Sequence, residues 1–583
     1  MQYSELIPYF KYRLTELFHK DSLDSYRVRH HNTLYILQEL KYLILGWQNK
    51  NIKRAETVQY TINEVKALIK EDSVFDFSIC SKERFKDILN QFYNELNEAN
   101  SKKERQSSFK GTQLIYLLNK FISANKNSYL SSLWSKIEDI IFRPGDFNDS
   151  EFVPIVESLD KLIVSLSREI LNRGYSKREA FMRTQRYSEQ DDSHEAFVQF
   201  KQKLLGTSLK DYRVILRLFI NGATDPTFAD FHREISSDEL NEYAKGNPQF
   251  LKFISPLPNR RFFIVDTKKY DTASATKDAK NKLLGELDML HLGMSKMDVS
   301  IGSQAIVIEK HNDKDDFVTF QSTLFIFDGA LPQEVAISNR YRSQLLTIKR
   351  NPAIDESVKV RIDGALRHLR IAHTDSEIEQ RFINYWIALE FIFSSPLIEE
   401  NTYARLKLNL TNILLACYVE RNCQHLENIL KRRGNLNREE SINSTNIDRL
   451  IGEQTNILMK YRLTQYKSNL LTETERRKKY LQRHRDNLEG HLSRIYHLRN
   501  ELIHEAGINQ NIEDLTSNLM YYLIFLLNQM IGFFSSISPD QDSLRKVTID
   551  EFFYEYQLIL DNIYSDCTLE RMRNVPYQKD LFL

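Results

Sequence analysis

Residues that end helices and form tight turns are scarce in this chain. Its 583 residues include only 17 glycines and 12 prolines, which is well below ordinary usage. Long segments between them carry apolar residues at helical spacing, such as LYILQELKYLIL at positions 34–45. The sequence therefore predicts a mostly α-helical protein, large enough for about two to four domains.

The middle of the chain departs from this pattern. Positions 212–220 and 260–267 are rich in β-branched and aromatic residues and predict strands. TASATKDAKNKLLGELDMLHLG then predicts a helix, and QAIVIEK and DFVTFQSTLFIFDG predict two further strands. The predicted fold class is mostly α with a small central α/β (α+β) module, followed by a C-terminal helical bundle.

Three regions follow from these patterns. We expect an N-terminal helical region at 1–205, a central mixed module at 206–333 and a C-terminal bundle at 334–583. RPGDFND at 143–149 is a possible break inside the first region. RHLRIAH at 367–373 is predicted to be a connector between helices.

Charge and cysteine usage restrict the function and the compartment. Eighty basic residues against 79 acidic ones give a formal charge of +1, which excludes a protein that coats nucleic acid over its whole surface. The four cysteines form no CxxC pair, which favours a reducing compartment. MQYSELIPYF at the start lacks a signal-peptide pattern. We therefore expect a cytoplasmic protein.

The most apolar segment, positions 519–534, predicts a buried bundle helix. Asn528 and Gln529 interrupt it, and it is short for a bilayer span. No membrane association is expected from it.

One helix near the C-terminus groups chemically active side chains. Helical geometry at positions 491–506 places an apolar face toward the core, formed by Leu492, Ile495, Leu498, Leu502 and Ile503. A separate side face carries Ser493, His497, Asn500 and His504, flanked by Tyr496 and Glu501. Gly507 is predicted to end the helix.

This side face has two interpretations. A histidine can move a proton at a ribose hydroxyl or a leaving oxygen, an arginine such as Arg499 can neutralise charge on a phosphate, and Asn500 can orient either group. The alternative is that both histidines lie on the surface near a helix C-terminus, where the helix dipole favours positive charge.

A family resemblance favours the first interpretation. RNELIHEAG at 499–507 resembles the signature of the HEPN superfamily, an arginine, a polar residue, three further residues and a histidine. RFINYWIALEFIF at 381–393, with Trp386 and Glu390, resembles the first core helix of the Apea-like HEPN branch. VDTKKYDTASATKDAKNKLLGELD is similar to the module that precedes the nuclease domain in those proteins.

The resemblance implies a metal-independent endoribonuclease that cleaves RNA by transesterification through the 2′-hydroxyl and needs no cofactor. It implies catalytic roles for Arg499, Asn500 and His504, with Tyr496, His497 and Glu390 in support. Many such bacterial proteins serve in phage defence or as toxin-like effectors. The N-terminal region and the central module are expected to sense a trigger or a regulatory partner, or to restrain the nuclease.

A homodimer is also expected. Family sites form where two HEPN domains meet, and this chain has one complete motif. Five residues separate Arg499 from His504, which is about 140° around an ideal helix. We therefore expect groups from two facing helices to combine across a dimer seam.

Basic residues precede the motif on the same segment and are candidates for contacts with the RNA backbone, because such contacts use clustered positive charge. They are Arg476, Arg477, Lys478, Lys479, Arg483 and Arg485. The equally weighted alternative is a solvated helix face.

Other function classes find little support. The chain has no glycine-rich phosphate loop, HExxH zinc motif or GxSxG elbow, so nucleotide-driven, zinc and Ser-His-Asp chemistry are disfavoured. The runner-up is a non-catalytic HEPN adaptor that binds RNA, nucleotide or a partner protein and dimerises through the bundle. A scaffold with a coincidental motif is the third alternative.

Overall fold

The computed structural model describes most of the chain, in fifteen segments. They are residues 3–19, 31–52, 55–102, 109–205, 208–221, 234–244, 247–255, 260–293, 298–310, 317–322, 335–375, 377–394, 401–504, 512–539 and 545–576. Contacts divide the chain into two compact units, Met1–Leu166 with Ile326–Leu583, and Ser167–Phe325. The N-terminal helices and the C-terminal bundle, which the sequence analysis separates, thus belong to one unit.

The N-terminal helices are amphipathic. In the third of them, Val58, Ile62, Val65 and Ile69 are buried at spacings of three and four residues, which places them on one helical stripe. The helices of this region are α1 (Leu6–Phe18), α2 (Thr33–Gln48), α3 (Ala55–Glu71), α4 (Lys82–Lys102), α5 (Phe109–Asn125), α6 (Tyr129–Ile141) and α7 (Asp149–Asn172), whose last turns belong to the second unit.

The C-terminal region is a helical bundle around one large apolar core. Its first helices are α13 (Val335–Arg350), α14 (Glu356–Thr374), α15 (Ile378–Phe393) and α16 (Thr402–Arg432). The later ones are α17 (Ile447–Gly452), α18 (Ile457–Tyr466), α19 (Thr474–His504), α20 (Ile512–Ser535), α21 (Ile549–Asp566) and α22 (Leu569–Arg573). A π-helical segment, Lys467–Leu471, follows α18.

Helix α20 is the most apolar helix of the bundle. It is long and apolar enough to cross a membrane, but 89% of its most apolar window is buried inside the protein. Asn528 and Gln529 are buried as well, and Asn528 accepts a hydrogen bond from the hydroxyl of Tyr341. The prediction of a buried bundle helix at 519–534 is confirmed.

The prediction of a connector at RHLRIAH is wrong, because these residues lie inside α14. Asp355 caps that helix by accepting a hydrogen bond from the Ser357 backbone N–H. The buried residues Val358, Ile362, Ala365 and Ala372 then continue at helical spacing through the segment. Burial along a whole stripe stabilises a helix across a locally ambiguous sequence.

The second unit contains a four-stranded antiparallel sheet. The strands are β1 (Lys210–Asn221), β2 (Arg260–Lys269), β3 (Asp298–Glu309) and β4 (Phe317–Ser322), in the order β2-β1-β3-β4. Tyr212 lies opposite Thr267 of β2 and Glu309 of β3. The predicted strands are confirmed where the structure describes them, whereas positions 316 and 323–329 of the predicted fourth strand lie outside the described residues. The antiparallel pairing makes this module α+β.

Helices cover both faces of the sheet. They include α10 (Ser237–Ala244), α11 (Pro248–Ile254) and α12 (Thr272–Gly293); α8 (Lys177–Ser188) and α9 (His194–Leu205) complete the unit. Val214 and Leu216 face one apolar core with Ala279 of α12, whereas Ile215 faces a second core with Phe250 of α11. This alternation follows from the two-residue period of a strand.

Candidate functional site

The candidate motif lies in the last two turns of α19. Leu492, Ile495 and Leu498 are buried in the bundle core, as predicted, and Leu502 packs partly against it. The prediction that Ile503 belongs to this face is wrong, because Ile503 is 45% exposed. The buried stripe advances by three or four residues, and Ile503 lies about 100° around the helix from Leu502.

Arg499 is held by two polar partners. Its Nη2 lies 3.5 Å from Glu390 Oε2 of α15, and its Nη1 donates a hydrogen bond of 3.1 Å to Asn500 Oδ1. Both members of the ion pair are partly exposed, with side-chain accessibilities of 23% and 29%. The fold thus brings together Arg499, Asn500 and Glu390 in a place that a ligand from solvent can reach.

His504 is the last residue of α19. Its side chain, and the predicted end of the helix at Gly507, lie outside the described residues. The helix is continuous from Arg499 to His504, so the angular separation of about 140° between the two positions holds in the structure.

Aromatic rings form one side of the site. Tyr496 stacks on Tyr403 with ring centroids 4.0 Å apart, and its centroid lies 5.8 Å from that of Trp386. Trp386 Nε1 and Arg499 Nε are both buried, and neither has a hydrogen-bond acceptor among the described residues. Two buried N–H donors of the site thus lack an acceptor in the part of the chain that the structure describes.

The side face predicted from the sequence divides in the structure. Ser493 is buried, and its hydroxyl lies 3.0 Å from the Tyr403 hydroxyl. His497 instead faces the N-terminal helix α2, where the Tyr42 ring is 6.3 Å away between centroids. Its Nε2 also lies 3.3 Å from Glu501 Oε1. Ser493 and His497 thus pack against other helices, and among the three side-face side chains that the structure describes, Asn500 is the one that contacts Arg499.

Helices α2 and α3 form a hairpin that packs along α19, a contact that the sequence analysis missed. Arg494 of α19 lies 2.6 Å through Nε from Glu39 of α2 and also pairs with Glu64 of α3. Burial lowers the pKa of Arg494, but the two carboxylates outweigh it, so the pKa is raised above its ordinary value. The sequence gives no signal for this, because the partners are more than 400 positions apart.

More contacts join the hairpin to the motif helix and to α16. The Tyr42 hydroxyl donates to Glu501, and the Tyr60 hydroxyl donates to Glu489 at 2.7 Å. Lys407 of α16 pairs with Glu56 of α3 at 3.1 Å. The hairpin thus contacts α19 from Glu489 to Glu501, beside the turn that carries Arg499.

His491, two turns before Arg499, is fully buried and neutral. Burial, and then Arg494, lower its pKa to about 3, against a smaller opposite effect of Asp514. Its Nε2 lies 3.3 Å from Asn518 Nδ2 and its Nδ1 lies 3.1 Å from the Tyr522 hydroxyl. A neutral ring with its proton on Nδ1 satisfies both contacts, whereas a doubly protonated ring places two donors face to face at Nε2.

We expect this histidine to make the protein less stable in mild acid. Its pKa is lower in the folded than in the unfolded state, so the unfolded state binds more protons and stability falls as the pH drops below about 6.5. The slope is about 1.4 kcal/mol per pH unit, or about 2 kcal/mol by about pH 5. Urea unfolding at about pH 7 and pH 5 should show this loss in the wild type and a smaller one in His491→Gln. Equal losses in both proteins would contradict the assignment.

The predicted RNA-binding residues lie at the opposite end of α19. Arg483 is about 24 Å and Arg476 about 35 Å from Arg499 along the helix axis, at 1.5 Å per residue. Arg476, Lys479 and Arg483 are exposed and form one strip. Lys478 is partly exposed near Glu475, and Arg485 is partly buried near Glu489.

Arg477 has a structural role. Its Nε donates to the backbone carbonyl of Cys567 and its Nη1 donates to that of Leu470 at 3.2 Å. It therefore ties the start of α19 to the end of α21, and the exposed basic strip consists of Arg476, Lys479 and Arg483.

Neither the described metal-ligating side chains nor the comparisons with known proteins identify the chemistry of this site. Among the described residues, no group of three His, Cys, Asp or Glu side chains lies close enough to hold a metal ion. No protein-family profile matches the chain, and no curated protein or solved structure matches it either. The HEPN assignment therefore remains a hypothesis that rests on the motif residues and their surroundings.

Proposed function

We propose that this chain is a metal-independent endoribonuclease of the HEPN type, acting in phage defence or as a toxin-like effector. The observation that supports it most is the ion pair between Arg499 and Glu390 of α15, with Asn500 beside it. Arg499 and Asn500 lie in the helix that ends at His504. A partly exposed arginine that a second helix orients is suited to bind a phosphate.

The chemistry is a transesterification within the RNA. The ribose 2′-oxygen attacks the adjacent phosphorus, and the bond from phosphorus to the 5′-oxygen breaks. A base takes the 2′-hydroxyl proton and an acid returns a proton to the leaving 5′-oxygen, roles that suit an imidazole such as that of His504. Arg499 stabilises the charge on the phosphate oxygens, Asn500 orients the reacting groups and Glu390 positions the guanidinium.

We further propose a homodimer through the C-terminal bundle. The chain has one complete motif, and Arg499 and His504 diverge by about 140° on their helix. Ile503, one turn beyond Arg499, is an apolar residue that is 45% exposed in the single chain. A second copy that covered this turn would bury Ile503 and bring the two motifs together.

The N-terminal hairpin supports a restrained enzyme. It contacts α19 at Glu489, Arg494 and Glu501, immediately before and beside the motif. Because its ion pairs are partly buried, a trigger that displaced the hairpin would change the environment of the motif helix. The exposed strip Arg476, Lys479 and Arg483 is suited to guide the RNA backbone along α19. Four unpaired cysteines fit a cytosolic setting.

The test is the chemistry of the cleavage products. In excess chelator, we expect the purified protein to cut an oligoribonucleotide and leave 2′,3′-cyclic phosphate and 5′-hydroxyl ends, resolved by mass spectrometry. A matched oligonucleotide with 2′-deoxyribose at the cleaved position should stay intact, because the attacking oxygen is absent. Cleavage of that control, or cleavage that requires added metal, would refute the proposal. Binding without cleavage, weakened by Arg499→Ala, would favour the adaptor.

A further inference from the structure

Two arginines in the sheet unit surround one aromatic ring. Arg217 of β1 and Arg260 of β2 place their guanidinium carbons 5.1 Å and 5.6 Å from the centroid of Phe219. The Arg217 guanidinium also lies 4.9 Å from the Phe253 ring of α11. Phe219 and Arg260 are directly opposite each other in the sheet, so both arginines project from the face that α11 covers.

These two cations lack the carboxylates that the other strand cations have. Neither Arg217 nor Arg260 forms an ion pair with any residue that the structure describes. The remaining cations of β1 and β2 all pair with carboxylates, as Lys210–Glu309, Arg213–Asp266, Arg261–Glu234, Lys268–Asp211 and Lys269–Asp278.

Arg213 shows the contrast on the same strand and the same face. Asp266 binds the Arg213 guanidinium in a bidentate manner, at 3.0 Å and 3.1 Å, and the pKa of Arg213 is raised. Arg217, four residues later, has its pKa lowered by burial and by the positive charge of Arg260. Two like charges held together without a counterion are electrostatically unfavourable, and an anion between them would relieve this.

The backbone provides room for the Arg217 side chain. A Cβ at Gly302 of β3 would lie only 3.2 Å from Arg217 Nε and 3.4 Å from the Phe219 ring. The register of β1 against β3 shifts between Leu216 and Leu218, at Arg217 itself. A bulge together with a strand glycine commonly marks a place where a side chain is redirected.

One terminal nitrogen of each guanidinium donates a hydrogen bond to a backbone carbonyl at the end of α11. Arg217 Nη1 donates to the Phe253 carbonyl at 3.4 Å, and Arg260 Nη1 donates to the Ser255 carbonyl at 3.2 Å. The Ser255 hydroxyl lies 3.4 Å from Arg260 Nη1. For Nη2 of both arginines, the described part of the chain offers no acceptor, which leaves charged donors for a ligand.

We propose that Arg217, Arg260 and Ser255 form a phosphate-binding site, occupied by the phosphate of a nucleotide or of an oligonucleotide. Guanidinium groups bind phosphate oxygens in a forked geometry that suits this anion, and their two positive charges are opposite in sign to that of a phosphate. The proposal is independent of the proposed cleavage reaction, because it concerns the sheet unit and requires no bond to break.

The experiment measures binding to the full chain of inorganic phosphate, AMP and a short oligodeoxyribonucleotide, which lacks the 2′-hydroxyl needed for cleavage. We expect Arg217→Gln and Arg260→Gln each to weaken binding at least about tenfold, as loss of a charged hydrogen-bond donor does. Arg261→Gln is the matched control, since it removes a neighbouring charge from the other face of the sheet, and should change binding less than about twofold. AMP matching the oligonucleotide would identify a nucleotide site, and much tighter oligonucleotide binding a strand site.

Thermal unfolding separates a ligand site from a purely structural role. Because the two arginines repel each other, Arg260→Gln should melt at or above the wild-type temperature without ligand, and phosphate should raise the melting temperature of the wild type only. Equal responses of wild type and the Arg217→Gln/Arg260→Gln double variant to every phosphate compound would overturn the proposal. A lower melting temperature of Arg260→Gln with unchanged binding would do so as well.

Discussion

Replacing Arg499 or His504 by alanine is expected to lower the rate of RNA cleavage at least about 100-fold, with the fold retained. Loss of a general acid or base, or of a group that stabilises charge in the transition state, typically has this magnitude. Arg499 is partly exposed and pairs with Glu390 at the edge of the bundle, so its removal leaves the apolar core intact. Cleavage rates on one oligoribonucleotide in excess chelator give the measurement.

Two control variants accompany these substitutions. Arg438→Ala removes an exposed arginine of the same bundle, and His194→Ala removes an exposed histidine of the other unit. Both should cleave at the wild-type rate. For all four proteins, circular dichroism should show an unchanged fold and size-exclusion chromatography an unchanged association state. Undiminished cleavage by His504→Ala would remove the assignment of this helix as the active site.

Replacing Arg494 by methionine is expected to destabilise the first unit by about 3–5 kcal/mol. The side chain is 11% accessible and stands between Glu39 and Glu64, and removal of one partner leaves the carboxylates close together without a counter-charge. The free energy of unfolding, from urea titration, should fall accordingly. Amide exchange should become faster in α2 and α3, which Arg494 holds against α19.

The controls for Arg494 test whether burial is the cause. Arg449→Ala breaks an exposed pair with Glu453, whose side chains are 46% and 41% accessible, and should cost less than about 1 kcal/mol. Combining Arg494→Met with Glu39→Gln and Glu64→Gln should restore much of the stability, because no unpaired charge remains. A loss for Arg494→Met as small as that for Arg449→Ala would contradict a buried ion network.

The elements of the fold were largely predictable because their patterns are local. The two-residue alternation in β1 and the helical stripe of α15, with Phe382, Tyr385 and Trp386 all buried, can each be read within one segment. Helix ends are less easily read, since α15 begins at Ile378 after Glu377 without a side-chain cap. The end of a helix is fixed by few interactions, whereas a buried apolar stripe is stabilised by many.

The candidate site was predictable only in part. The motif residues and Glu390 can be named from the sequence by resemblance, but their contact at 3.5 Å depends on how α15 and α19 pack. Arg494 shows the limit most clearly, because a mid-helix arginine ordinarily belongs on a solvated face. Its burial follows from two carboxylates on helices more than 400 positions earlier.

The sequence by itself determined the helical character, the places of the four strands, the buried nature of α20 and the position of Arg499, Asn500 and His504 in the last turns of one helix. The tertiary structure alone decided that α2 and α3 pack on the motif helix, that Arg499 pairs with Glu390 and that Arg217 and Arg260 share a ring without a carboxylate. The physical reason is the separation along the chain over which each kind of interaction acts. Periodicity and propensity act over a few residues, whereas the partner of a charge is selected by packing among segments far apart in the chain.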